Sequence, residues 1–383
     1  MLANSSLQAP PPVSTTVERV RWQILRPEAN SFYFQHMGDL FDTRMVGRAG
    51  PVWQLPRRDG NISIRYAWQG KSYDYPAFLE RTFTNALIVM KNGAIVTELY
   101  RNRSGPATHF ASWSMAKSFT STMVGFALAD HKIASLDDPI THYLPELKRG
   151  GYNGVTIRQI LQMKSGVDFE ERYDFDHPGI AAHNHEKAII RNSARYADAA
   201  LTIARKYAPG THFDYKTLDT AVLGWLVERV TERPIAHYMA ERLWEPLGAE
   251  ADGFFILDGP PGIGREFTGA GYNAVARDYA RFGQMMLDHG FANGRQIVPR
   301  AWIDEATRPA DREGPMGGYG YQWWTVTGSN AFYALGLEGQ FIYVDPDTRT
   351  VIVKLSYFPP DDESRYGEAI AAMQAISAWT PQP

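Results

Sequence analysis

Residues 113–128 read WSMAKSFTSTMVGFAL. Phe119, Met123, Phe126 and Ala127 recur at helical spacing and no Pro interrupts the run, so the pattern predicts a helix over Ser114–Asp130. Ser114 and Lys117 stand three residues apart at its start, which sets a hydroxyl and an amine on one helical face. A Ser hydroxyl is a weak nucleophile until a base takes its proton. A Lys amine can do this only where burial or nearby cations lower its pKa toward neutrality. Free N–H groups at a helix start also favour developing negative charge. The tetrad by itself says little, since a Ser and a Lys at this spacing occur about once by chance in a chain of this length. Of the four residues alone, a Ser N-cap followed by an exposed Lys is the simpler reading. The small and apolar residues of Ala111–Ser114 and Ala116–Gly125 point instead to a buried helix, where a Lys demands a reason.

Upstream, Asn85–Arg101 reads NALIVMKNGAIVTELYR, two β-rich runs around Lys91-Asn92-Gly93, which predicts a hairpin. Downstream, Ala134–Pro139 is a polar turn, and residues 140–305 are mainly helical in pattern. Helices are expected over Thr156–Met163, Ala188–Tyr207, Leu218–Thr231, Ile235–Leu243 and Ala274–Leu287. Two β-rich runs, Phe332–Asp345 and Thr350–Tyr357, flank the turn Asp345-Pro346-Asp347-Thr348, and a last helix is expected at about 363–378. Residues 17–80 are aromatic and Arg-rich without clear periodicity, as in a wrapping segment, and 1–16 reads as a disordered or draped tail. The order of strands, helix, helical insert, strands and helix predicts an α+β protein of two lobes with a cleft between them. One lobe is built from 17–135 and 275–383, at both ends of the chain. The other, helical, lobe is 136–274.

Composition narrows the chemistry. The formal net charge of −3 over 383 residues, without a basic run, argues against nucleic acid as a partner. The absence of Cys excludes disulfides, thiolate metal sites and Cys nucleophiles. The first 16 residues lack a basic start and an apolar core, and no apolar stretch approaches the roughly 20 residues of a membrane helix, so a soluble cytoplasmic protein with no membrane partner is expected. His183 and His185 stand two apart and do not share a helical face, so a metal site is not expected.

Two further stretches carry chemistry. In Pro209–Thr217, a turn leads to Tyr215, whose hydroxyl both donates and accepts and can shuttle a proton beside an amine; a core or surface Tyr is the plainer reading of that residue alone. In Ala334–Phe341, Gly336 and Gly339 weaken an ordinary strand and mark either close backbone approach or a β-bulge.

Together, in this order, these elements resemble the penicillin-recognizing serine hydrolases: class C β-lactamases, DD-peptidases, family VIII esterases and 6-aminohexanoate-dimer hydrolases. The resemblance covers roughly residues 85–380. It runs through WSMAKSFTSTMVGFAL, DDPITHYLPEL, Ile160–Val167, PGTHFDY, LDTAVLGWLVERVT, RDYARFGQMMLDHG and GQFIYVDPDTRTVIV. It implies a β-lactamase/DD-peptidase-like fold and acyl transfer by Ser114, Lys117 and Tyr215, with the backbone N–H groups of Ser114 and Leu337 as the oxyanion hole and no cofactor or metal. Two departures stand out. Tyr215-Lys216-Thr217 replaces Tyr-x-Asn, and Ala334-Leu335-Gly336 aligns where β-lactamases carry Lys-Thr-Gly. Loss of that Lys removes the cation that would meet a β-lactam carboxylate. The apolar replacement looks more like the esterase and 6-aminohexanoate-dimer hydrolase branch. There Tyr173, Asn273 and Gly336 fall near substrate-contacting positions, a structural Tyr and a turn Asn being the alternatives for the first two. The expected partner is a small-molecule amide or ester, and the expected assembly a monomer or homodimer.

Overall fold

Asn92 and Gly93 hold φ values of 50° and 79° in the computed structural model of the protein. That left-handed pair suits a two-residue turn whose twist matches its strands, and it joins the antiparallel strands Thr84–Lys91 and Ala94–Tyr100. The structure describes residues 13–174, 177–310, 317–360 and 362–381, so most of the expected tail lies outside the described residues. Thr84–Lys91 is buried along its whole length because it sits inside a six-stranded antiparallel sheet. The order across that sheet is Trp324–Thr325, Phe332–Gly336, Gln340–Asp345, Thr350–Ser356, Thr84–Lys91 and Ala94–Tyr100. Segments far apart in sequence therefore pair directly, Val353 opposite Ile88.

The run expected over Phe332–Asp345 is two strands rather than one. Glu338 and Gly339 take φ values of 56° and 89°, which turns the chain back so that Gly336 pairs with Gln340 and Phe332 with Val344. Period-two alternation then splits the sheet between two cores. Ile342 and Val344 face the core that also holds Ala280 and Met285 of the helix Ala276–Leu287. Phe341 and Tyr343 face the core that holds Ala372 and Met373 of the helix Ser364–Ala378.

The central helix, Ala116–Ala129, is buried from Ala116 through Ala127 and packs against the helix Thr217–Thr231. Two of its inward hydroxyls reach across to neighbouring backbone: Ser118 Oγ donates to the Gln322 carbonyl at 2.7 Å and Thr120 Oγ1 to the Thr268 carbonyl at 2.9 Å. Several of the expected helices are shorter. Met163 ends the helix Ile157–Leu161 with a φ of 55°. The run Ala188–Tyr207 divides into a π-helical turn, Glu186–Ile190, and a 3₁₀ helix, Tyr196–Leu201. The chain leaves the helical conformation at Asn192, whose φ is 48°, and the Arg21 guanidinium donates to the carbonyls of Ile189 and Ile190 there, each at 3.0 Å.

A second sheet does not follow from the sequence reading. Its strands are Thr43–Val46, Gly253–Ile256, Tyr272–Val275 and His109–Ala111, in that order. Tyr272–Val275 is buried throughout, so it carries no alternation to betray it. The whole is an α+β fold. No helix among the described residues is long and apolar enough to cross a membrane.

Candidate active site

The second sheet delivers the candidate nucleophile. Ala111 pairs with Asn273, and the Ser112 N–H donates to the Tyr272 carbonyl at 2.8 Å. Trp113 then turns the chain with a φ of 44°, a left-handed conformation that costs a bulky residue on the order of 1–3 kcal/mol and needs support from its surroundings. Support comes from burial of the indole edge-on to Phe34, with centroids 5.2 Å apart. Trp113–Met115 is a 3₁₀ turn leading into the central helix, so Ser114 precedes the α-helix rather than opening it. In 3₁₀ geometry, side chains three apart nearly eclipse, and Lys117 Nζ lies 2.9 Å from Ser114 Oγ.

Lys117 is 1% exposed. Its amine also meets Thr217 Oγ1 at 3.0 Å and the Gly269 carbonyl at 2.8 Å. Burial pushes its pKa down to about 8, and the nearby Glu171 carboxylate offsets part of that effect. Tyr215 presents its ring to the Lys117 amine at 4.9 Å, and its hydroxyl interacts electrostatically with Ser114. Burial raises the Tyr215 phenol well above its ordinary value, so it keeps its proton at neutral pH. The ring stacks on Trp324 at 5.5 Å, and its loop is fixed where the Asp214 N–H donates to the Met163 carbonyl at 2.9 Å. Lys216 turns away and pairs with Asp214 at 2.8 Å. Thr217, in the place of the expected Asn, thus still reaches the Lys amine.

The strand Phe332–Gly336 runs beside the Ser114 turn. A Cβ on Gly336 would lie 2.2 Å from the Ser112 carbonyl oxygen, so the two backbones touch there as only Gly allows. Leu337 follows directly and its side chain is exposed. Of the apolar run Tyr333–Leu337, Tyr333 and Ala334 are buried and only Leu335 and Leu337 keep appreciable surface, so the wall is narrower than the sequence suggested. Behind it, the Glu338 N–H donates to the Tyr366 hydroxyl at 2.8 Å and the Glu338 carboxyl accepts from Asn30 Nδ2 at 2.6 Å.

Tyr173 donates its hydroxyl to Glu171 Oε1 at 2.8 Å, and its ring packs edge-on to His185. Asn273 is 1% exposed, and its amide donates to the Gly271 carbonyl at 2.9 Å. The structure therefore brings Ser114, Lys117, Tyr215 and Gly336 into one cluster. Tyr173 joins it through Glu171 and Thr217, and Asn273 lies in the strand behind it. Glu171 escaped the sequence reading. It stands in the irregular run Asp168–Asp174, where several acidic residues offer no pattern that singles one out.

Comparison with known proteins agrees with this fold. The beta-lactamase family model matches residues 79–375. A 6-aminohexanoate-dimer hydrolase of Paenarthrobacter ureafaciens is 32% identical over 352 residues, spanning 87% of this chain and 86% of that protein. The solved structure of a Bacillus anthracis protein, provisionally assigned as a 6-aminohexanoate-dimer hydrolase, superposes with a TM-score of 0.78 at 25% identity over 92% of this chain and 93% of that one. A family VIII carboxylesterase structure shares the fold, with a TM-score of 0.59 at 17% identity over 78% of this chain and 95% of that one. The chain belongs to the beta-lactamase family and is a serine hydrolase.

Proposed function

We propose that this hydrolase cleaves a small linear amide or ester in two acyl-transfer steps at Ser114, in the manner of a 6-aminohexanoate-dimer hydrolase. The neutral Lys117 amine takes the Ser114 proton as Oγ bonds to the substrate carbonyl carbon. The oxyanion that forms faces the N–H groups of Ser114 and Leu337, a kind of stabilisation commonly worth about 3–4 kcal/mol per donor. Collapse breaks the C–N or C–O bond while the proton passes from Lys117 through the Tyr215 hydroxyl to the leaving group. Water then adds to the acyl-enzyme carbonyl as its proton passes to Lys117, and collapse breaks the bond to Oγ, which takes that proton back from Lys117, releasing the acid and restoring Ser114 and the neutral amine. The observation that carries this reading is the contact of 2.9 Å between Ser114 Oγ and a fully buried amine whose pKa is held near 8.

The substrate class rests on the cleft strand. Ala334 stands where a β-lactamase would carry a cation, and the surface offered beside it is Leu335 and Leu337. Such a wall suits an alkyl chain better than a charged bicyclic lactam. We expect kcat/KM on a linear aliphatic amide or short-chain ester to exceed that on benzylpenicillin or nitrocefin by at least about tenfold, roughly 1.4 kcal/mol of transition-state discrimination. Steady-state kinetics on all three classes with one enzyme preparation measures this. A β-lactam as the best substrate would overturn it.

A further inference from the structure

A neutral Lys amine has two N–H donors and a single lone pair. For Lys117 to act as a base, the lone pair must face Ser114, and both N–H groups must find acceptors elsewhere. The Gly269 carbonyl, 2.8 Å away, can only accept. The other neighbour, the Thr217 hydroxyl at 3.0 Å, can do either. If it turned its hydrogen toward Lys117 it would occupy the lone pair, and Ser114 would lose its acceptor.

Glu171 removes that freedom. Its Oε2 accepts the Thr217 backbone N–H at 2.9 Å, and its Oε1 accepts the Thr217 hydroxyl hydrogen in a short contact. Both donors of Thr217 are then committed to one carboxylate, and only the acceptor side of its hydroxyl is left for Lys117. The carboxylate is itself anchored, since Tyr173 donates to Oε1 at 2.8 Å and the Tyr173 and Tyr196 hydroxyls lie 3.1 Å apart. We propose that Glu171 is a positioning residue that fixes Thr217 as an acceptor and thereby keeps the Lys117 lone pair directed at Ser114. The inference rests on Lys117 being the base of the reaction proposed above.

The titratable groups against this carboxylate are Lys117, Tyr173, Tyr196 and Tyr215, with His185 packed on Tyr173. Burial holds the three phenols protonated and pushes His185 down to about 4, so among these Lys117 is the group that changes charge near neutral pH.

The test compares Glu171→Gln, Thr217→Val, Thr217→Ser and the double variant Glu171→Gln/Thr217→Val by kcat, KM and the pH profile of kcat/KM. The Gln amide cannot accept both Thr217 donors, so kcat should fall by at least about tenfold with KM little changed. Loss of the negative charge should also move the acid limb of the profile to lower pH, because Glu171 raises the Lys117 pKa. Thr217→Val should lose a comparable factor, Thr217→Ser should restore most of it, and the double variant should be no worse than the worse single one. Additive losses, an unmoved acid limb, or full activity in Thr217→Val would overturn the proposal. The last of these decides even if Glu171→Gln fails to fold. Lys117→Ala in the same assay separates the two claims. An inactive Lys117→Ala beside unaffected Glu171 and Thr217 variants sinks only this inference, whereas an active one sinks the base itself.

Discussion

Lys117 illustrates how much of this site one residue decides. An exposed amine is protonated at neutral pH and useless as a base, whereas burial of this one brings its pKa down to about 8. The sign of the consequence follows. Below that value Lys117 holds a proton and has no lone pair for Ser114, and above it the base is free. We therefore expect kcat/KM to rise with pH through an apparent pKa near 8, followed on an uncharged substrate such as a short-chain ester; a flat profile from pH 6 to 9 would mean that Lys117 is not the group that must be deprotonated. Ser114 and Lys117 were singled out by their spacing within an apolar run, but their roles, and that of Tyr215, rested on the family resemblance, since each motif alone had a plainer reading. Thr217 was visible only as a departure from Tyr-x-Asn, without its bond to the amine. Glu171 was not visible at all, because its partners Thr217 and Tyr173 are met through loop geometry and no periodicity selects it.

Among the elements, the strand Phe332–Gly336 sets the shape of the cleft by touching the Ser114 turn. Gly336 and Gly339 admitted two readings in the sequence, close approach or bulge, and the structure gives each its own reason. Gly336 lies against the Ser112 carbonyl, while Gly339 turns the chain at a φ of 89° with its α-carbon against Phe358. Gly336→Ala would force a methyl to within 2.2 Å of a backbone oxygen, which no side-chain rotation can relieve. The strand must move, and the Leu337 N–H proposed for the oxyanion moves with it. We expect kcat to fall about a hundredfold, the loss typical of one displaced oxyanion donor, with a smaller change in thermal stability than in rate. Wild-type kcat in this variant would show that the spacing of strand and turn is not needed. The hairpin at Asn92-Gly93 was legible because its turn chemistry is local. The break after Ile190 was not, because no Gly or Pro marks it and the carbonyls there meet Arg21, which lies far away in sequence.

In the molecule as a whole, the six-stranded sheet joins residues 84–100 to residues 324–356. The central helix is sealed between that sheet and the helix Thr217–Thr231. The arrangement explains why a Lys survives at 1% exposure, since its three polar partners come from three separate segments that the fold fixes around it. The order of elements along the chain was enough to read the α+β architecture. The second sheet was not, because its strands are short and drawn from distant parts of the sequence.

The central claim is that Ser114 is the nucleophile, and covalent labelling tests it most directly. The protein and its Ser114→Ala variant would be treated with a fluorophosphonate, then weighed intact and mapped by peptide mass spectrometry. The account predicts a single adduct on the peptide containing Ser114 and none on the variant. An unchanged adduct on Ser114→Ala, or one carried by a different serine, would contradict it.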